Sequence, residues 1–320
     1  MPTERPLSSR ASYLAYRAGS AVARVIPTRV GEPVAEAVGR SLRLVAHRRR
    51  RQVERHQRRL HDGVLEGRAK RRVVGEVFAS YGRYWFEFFR LPHDARHDLG
   101  PRFDVSGFEH VTDALAVGRG VVVALPHIGG WDYAGAWLAQ QGYPPVVIAE
   151  VLEPPELFAW ACAQRAAMGI EVVPLADGAA AALLAALDDN RVVCLLADRD
   201  LVGDGVDVTF FGERVTMPSG PALLALRTGA RLVPCAAYFR PGGRHFAVIG
   251  EPIDTARRAG LREDVGRVTQ DLAARLEAMI REAPEQWHVL QPLWPSDRAT
   301  LGEEDFVTAV AVPAEAGDVA

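Results

Sequence analysis

Gly120-Val-Val-Val-Ala-Leu-Pro-His127-Ile-Gly-Gly-Trp-Asp132 is the stretch that decides how the rest of the chain is read. Residues 121–125 form a continuous apolar run without polar alternation, the pattern of a strand covered on both faces. Pro126 ends the run, two glycines follow the histidine, and helical sequence opens near Gly130. His127 therefore falls in a strand-to-helix turn, where α/β proteins present side chains to ligands. Asp132 lies five positions on, in the helix. A carboxylate near a histidine can hold one imidazole tautomer and stabilise the protonated ring. Gly129 and Gly130 permit close backbone approach, and free N–H groups at a helix start favour developing negative charge.

The same texture extends outward. Strand-like runs at 121–126, 145–150, 171–175, 192–198, 206–211, 231–239 and 245–253 alternate with Ala/Leu-rich helical segments at 131–141, 156–168, 179–187 and 220–228. This predicts an α/β fold, a mostly parallel sheet flanked by helices. Gly229 suits a helix stop, and a last helix over 262–282 ends before Pro284.

The first ninety residues read as a helical N-terminal region instead. Pro33 suits a first helical turn, and Val34, Val38, Leu42 and Val45 follow at helical spacing. An Arg-rich helix covers 48–60. Another carries Val74, Val77, Phe78, Tyr81, Trp85, Phe88 and Phe89 and stops near Pro92. That stripe fits plain core packing, and also an interfacial anchor in lipid. The organisation expected is a basic, membrane-facing helical region (1–92), an α/β body (93–295) and a disordered acidic tail (296–320).

Charge divides the chain. Residues 1–90 hold 20 Lys+Arg against 8 Asp+Glu, a net of +12, whereas the whole chain carries −2. A basic end on an acidic body points to a polyanionic partner, nucleic acid or an anionic membrane. No nucleic-acid module is recognisable, and the acidic body argues against one. The densest basic run is Arg48, Arg49, Arg51, Arg55, Arg58 and Arg59. No apolar run reaches the roughly 18 residues of a membrane span, and the N-terminus lacks the apolar core of a signal peptide. Cys162, Cys194 and Cys235 are scattered and read as buried thiols in a reducing compartment.

Three histidines have an acid five residues on: His61 with Glu66, His93 with Asp98, and His127 with Asp132. Only the third follows a buried strand and precedes glycines. The segment from Pro92 to Asp98, with His93 and His97, has no further ligand cluster nearby and reads as a linker, with no metal expected. There is no nucleophile elbow, Walker loop or dinucleotide fingerprint. With no placed Ser or Cys nucleophile, a covalent intermediate on the protein is not suggested, and His127 reads as a general base.

At this point the sequence resembles the bacterial lipid A biosynthesis acyltransferases, within the glycerolipid acyltransferases that share a His-x4-Asp/Glu motif. More narrowly it is similar to their actinobacterial phosphatidylinositol mannoside branch. The blocks that carry the resemblance are Leu125-Pro-His-Ile-Gly-Gly-Trp-Asp132; Ile148-Ala-Glu150; Arg165-Ala-Ala-Met-Gly169; Cys194-Leu-Leu-Ala-Asp198-Arg-Asp-Leu201; Thr216-Met-Pro-Ser-Gly-Pro221; and Trp287-His-Val-Leu-Gln-Pro292. The last favours the mannoside branch.

The resemblance implies transfer of a long acyl group, palmitoyl, from acyl-CoA to a mannose hydroxyl of a phosphatidylinositol mannoside. It implies no bound cofactor and a peripheral place on the cytoplasmic face of the plasma membrane. A lipid A-type or other glycolipid acyltransferase is the alternative, and a non-catalytic membrane protein a remote one. His127 would be the base. Asp132 is the motif acid, and Asp198 matches a Glu proposed in relatives to pair with the histidine; which of the two orients His127 stays open. Glu150 and Arg165 would line the polar end of the site. Arg199 and Asp200 would join them or form a structural ion pair. Many members carry Asn where this chain has Gly130.

Overall fold

A computed structural model describes residues 7–298. Four helices come first: α1 (Leu7–Val25), α2 (Thr28–Leu42), α3 (His47–Leu60) and α4 (Gly67–Asp94). Strands and helices then alternate through β1 (Phe103–Ser106), α5 (Glu109–Ala116), β2 (Val121–Leu125), α6 (Trp131–Gln140), β3 (Val146–Ala149), α7 (Pro155–Ala166), β4 (Glu171–Pro174), α8 (Ala179–Asp188) and β5 (Val192–Leu196). The chain continues as β6 (Val206–Phe210), β7 (Glu213–Met217), α9 (Gly220–Thr228), β8 (Arg231–Arg240), β9 (Arg244–Ile249), α10 (Leu261–Glu282) and α11 (Pro295–Arg298).

Seven strands make one sheet in the order β1-β9-β8-β2-β5-β3-β4, parallel except where β8 meets β9. Alternate residues of each strand feed opposite faces. Val122, Ala124, Val193, Leu195 and Leu232 join α8, α9 and α10 in one core, and Val121, Val123, Val233 and Ala237 join α5 and α6 in the other. Burial on both faces explains why these strands read as unbroken apolar runs.

Some expectations shift. The run at 206–211 leaves the main sheet and forms a hairpin, β6 with β7. Its buried and exposed residues alternate, as a one-faced ribbon requires. The last strand ends at Ile249, short of 253. β1 and α5 are additional elements, too short and too polar to stand out. Pro33 lies inside α2, which begins at Thr28, and α4 passes Pro92 to Asp94. Ser296 and Asp297 belong to α11 and dock on the body, while residues 299–320 lie outside the described residues.

The N-terminal helices pack on α4, and two glycines set the closest crossing. A Cβ on Gly39 would meet the Phe78 carbonyl oxygen at 2.1 Å, and one on Gly82 would meet that of Ala35 at 2.3 Å. Small residues here let the two backbones touch, so α2 turns Gly31, Glu32 and Gly39 inward. Its apolar residues consequently face out: Val30, Val34, Val38 and Leu42 are each about half exposed.

Candidate active site

Neighbouring parallel strands bring the key pair together. Leu125 of β2 is in register with Leu196 of β5, so the residues two positions on, His127 and Asp198, leave the sheet side by side. His127 Nδ1 lies 2.6 Å from Asp198 Oδ1, and the His127 backbone N–H donates to Asp198 Oδ2 at 2.9 Å. The Trp287 indole N–H donates to the same oxygen at 2.7 Å. Asp198 is wholly buried. Burial pushes its pKa up, but the His127 ring, the indole and the His127 amide outweigh this and hold the carboxyl below its usual range. An ionised Asp198 fixes the proton of His127 on Nδ1 and leaves Nε2 as the basic nitrogen.

Asp132 does something else. Arg165 donates to its two oxygens at 2.8 and 3.2 Å, and the Tyr84 hydroxyl donates to Oδ2 at 2.9 Å. Asp132 is buried and Arg165 partly so, with 18% of its side chain exposed, and Arg165 also lies over the Phe88 ring at 5.0 Å. Burial alone would lower the Arg165 pKa; Asp132 raises it, so the ion pair persists. Asp132 thus ties α6 to α4 and α7 beside His127, while Asp198 holds the imidazole.

Below His127 opens a cavity of about 330 Å³. Its sheet wall includes Val123, Val147, Cys194, Cys235, Ala237 and Ala247, and the facing wall is Phe108, just before α5, with Val111 of α5 and Trp137 and Leu138 of α6. The walls are apolar, and polar groups gather at one end: Glu150, Arg165, Arg199, Asp132, His127 and His288 all line it. Cys194 and Cys235 serve as wall; burial raises both thiols, Cys235 to about 12, far from a reactive thiolate.

Asp200 is outside this lining. Its carboxylate accepts the backbone N–H groups of Gly203 and Gly205 at 2.7 and 3.0 Å and so shapes its own loop, with no ion pair to Arg199 among the described residues. The backbone N–H groups of residues 127–130, which precede the first turn of α6, are all bonded within the protein. His127 N–H goes to Asp198, Ile128 N–H to Pro126 O, Gly129 N–H to Gln286 O and Gly130 N–H to Ala237 O. None of these four is left for an incoming oxyanion. Gly130 itself is required by its neighbours, since a Cβ there would meet His245 Nδ1 at 2.8 Å and Phe239 Cε1 at 3.1 Å. His245 occupies the space that an Asn at this position would need.

The family model for bacterial lipid A biosynthesis acyltransferases matches residues 3–296. The chain belongs to that family. It is 40% identical over 310 residues to a phosphatidylinositol mannoside acyltransferase of Mycolicibacterium smegmatis, covering 93% of this chain and 97% of the relative. It is 44% identical over 223 residues to the protein of the same name from Mycobacterium tuberculosis, covering 68% of this chain and 69% of the relative. In this acyltransferase the two residues of the His-x4-Asp motif have separate partners, His127 with Asp198 and Asp132 with Arg165. Trp287, Tyr84 and His288 were not singled out as site residues from sequence. The Trp287-His288 pair stood in a quoted block, and its closeness to His127 comes from an antiparallel bridge between Ile128 and Trp287.

Proposed function

We propose that this acyltransferase moves a long acyl chain, palmitoyl, from acyl-CoA to a mannose hydroxyl of a phosphatidylinositol mannoside. The observation that carries the reading is the apolar cavity that ends at the His127–Asp198 pair. An acyl tail in that cavity leaves its thioester among the polar residues at the end. The acceptor oxygen attacks the thioester carbon as its proton passes to His127 Nε2. Collapse of the tetrahedral intermediate breaks the C–S bond, and the departing thiolate takes the proton from His127. Glu150 and Arg199 are available to the sugar and phosphate groups. The acceptor class comes from the names of the two mycobacterial relatives.

Attachment is peripheral in this reading, to the cytoplasmic face of the plasma membrane. No helix among the described residues is long and apolar enough to cross a membrane. The contact surface is the outer face of α1 and α2. Leu14, Val22 and Val25 on α1 join the outward residues of α2, with Val45 70% exposed just beyond it. Apolar residues outside and glycines inside reverse the usual order of an amphipathic helix, and such a patch marks an interaction surface. Arg17 and Arg29 are exposed on the same two helices and suit anionic headgroups. The Arg-rich α3 contributes less than its composition suggests, because Arg59 is drawn inward to Glu213 and Asp297 at 2.7 and 2.9 Å.

Purified protein, labelled palmitoyl-CoA and matched acceptors test the function. Label should pass to phosphatidylinositol mannoside in preference to lipid A precursors; the reverse preference would overturn the acceptor assignment.

A further inference from the structure

Trp287 is 1% exposed and among the largest fully buried side chains of the protein. Phe210, Phe211, Trp294 and His56 surround its ring, with centroids 6.3, 6.2, 6.2 and 5.3 Å away. Core packing accounts for the bulk of the indole but not for where its N–H goes. The neighbouring Trp294 indole donates to the Phe210 carbonyl oxygen at 3.2 Å, the usual way to satisfy a buried donor. Trp287 donates instead to Asp198 Oδ2 at 2.7 Å, on the carboxylate that holds the base.

Two sets of contacts aim that N–H. On one side, the backbone around Trp287 is bound to the turn of His127. Gly129 N–H donates to Gln286 O at 3.0 Å, and His288 N–H donates to His127 O at 2.7 Å. On the other side, α3 clamps the chain before and after the indole. The Gln57 amide donates to Pro284 O at 2.7 Å, and His56 Nδ1 lies 3.0 Å from Val289 O. A carbonyl only accepts, so His56 carries a proton on Nδ1. Its Nε2 then accepts from the Gln52 amide at 2.7 Å. Burial lowers the His56 pKa against the pull of Asp297, in keeping with a neutral ring behind Trp287.

The indole N–H does not act equally on the two protonation states of His127. With the imidazole neutral, the full negative charge rests on Asp198, and the N–H faces it. With the imidazole protonated, the pair is neutral overall and the same N–H gains less. The bond therefore favours the neutral imidazole, which is the form able to take a proton from an acceptor hydroxyl. Other ionisable groups surround the pair. His288 is pushed down to about 3 by burial and then by His127, so it stays neutral. Asp132 is held by Arg165 and Tyr84, and Glu150 and Arg199 line the polar end of the cavity from the ends of β3 and β5. Asp297 and Arg59 lie behind His56 and pair with each other.

We propose that Trp287 is a positioning residue of the base, resting on His127 as the base of the acyl transfer above. Its indole N–H pins Asp198 Oδ2, leaves Oδ1 facing His127 Nδ1, and makes the pair release its proton at a lower pH than it otherwise would.

Two replacements separate the N–H from the bulk. Benzothienylalanine, placed at position 287 by codon suppression, keeps the size of the indole and puts sulfur where the N–H was. Trp287→Phe removes the N–H together with part of the ring. Two quantities are measured: the pH midpoint of the His127 imidazole by NMR in the ligand-free protein, and the acid limb of kcat/KM for hydrolysis of palmitoyl-CoA. Melting temperature checks folding. In the benzothienyl protein both should move up by about half to one pH unit, so that kcat/KM below the limb falls about 3–10-fold. Trp287→Phe should shift in the same direction. A midpoint that stays or falls in the benzothienyl protein overturns the proposal, whatever happens to the plateau kcat, and assigns Trp287 to packing. A shift confined to Trp287→Phe also overturns it, because the smaller ring and not the lost N–H would be the cause. A wild type with no turnover of palmitoyl-CoA would defeat the donor assignment alone and leave the NMR midpoints to judge Trp287.

Discussion

Arg165 grips Asp132 through two guanidinium bonds, at 2.8 and 3.2 Å, on the side of α6 that faces α4 and α7. The motif carboxylate is thereby committed to an ion pair, and the charge that orients His127 comes from Asp198, seventy-one residues on. The two acids should fail differently when neutralised.

Asp198→Asn should cut kcat by ~10²–10⁴ because an amide no longer fixes the imidazole tautomer. KM for acyl-CoA should change little. Asp132→Asn leaves the partly buried Arg165 without its counter-charge and should cost up to about 3 kcal/mol of stability. Stopped kinetics and thermal melts on both variants distinguish the roles. A larger turnover loss in Asp132→Asn, with its melting temperature intact, would exchange the assignments.

Ala247 lies on β9 in register with Ala237, and both line the cavity. Ala247→Phe should fill space that an acyl tail needs. The ratio of kcat/KM for palmitoyl-CoA to that for decanoyl-CoA should fall by tenfold or more, since each excluded CH₂ is worth roughly 0.8 kcal/mol. An unchanged ratio in a folded variant would place the tail elsewhere.

A buried ionic cluster joins α4 to the body. Glu87 accepts from Arg83 at 2.8 Å and lies 3.4 Å from His245 Nε2, with Glu32 3.9 Å from Arg83. Burial raises the Glu87 pKa to about 7; Arg83 opposes it, and Glu32 and Asp94 reinforce it. The folded protein therefore holds a proton that the unfolded chain releases near pH 4. That stabilisation is complete below the unfolded value and is lost as pH rises through about 7, by up to ~3 kcal/mol. His245, with its pKa lowered by burial and then by Arg83 and Arg102, acts in the opposite sense below pH ~6.5. The melting temperature of wild type minus that of Glu87→Gln should accordingly fall between pH 5 and pH 8. A flat difference would mean that Glu87 is ionised throughout.

Strands buried on both faces were legible because their apolar runs are unbroken, as in Val121–Leu125 and Val192–Leu196. The hairpin strand was grouped with them although its sequence, Val206-Asp-Val-Thr-Phe210, alternates apolar and polar residues as a strand buried on one face does. His127 was legible from its place between a strand and two glycines. Its partner could not be chosen from spacing, because the choice depends on the register of β2 with β5. Trp287 and His288 reach the site through pairing across more than 150 residues, for which local sequence holds no signal. The Arg-rich helix shows a second limit of composition. Composition marks charge, but Arg59 is neutralised by Glu213 and Asp297, which only the folded arrangement brings near.

The proposed membrane contact rests on α2 and its inverted faces. Gly39 and Gly82 hold α2 against α4 so closely that its valines have no room inside. Val34 and Val38 are left 53% and 55% exposed, with Leu42 one turn further at 49%. Water gains nothing from this stripe, and a bilayer interface would gain roughly 25 cal/mol for each Å² it covers. Nearby Arg side chains would add on the order of 1 kcal/mol each next to anionic lipid, decaying over a Debye length of roughly 8–10 Å. Two variants divide the contributions in a vesicle co-sedimentation assay. Val34→Glu with Val38→Glu places two carboxylates on the stripe and should reduce binding to anionic vesicles at least tenfold at any salt concentration. Changing Arg51 and Arg58, both exposed on α3, to Gln should weaken binding only modestly and only at low salt. Hydrolysis of palmitoyl-CoA in detergent should survive in both, because neither pair lines the cavity. Full binding by the valine double variant, with loss confined to the arginine variant, would move the contact from α2 to α3.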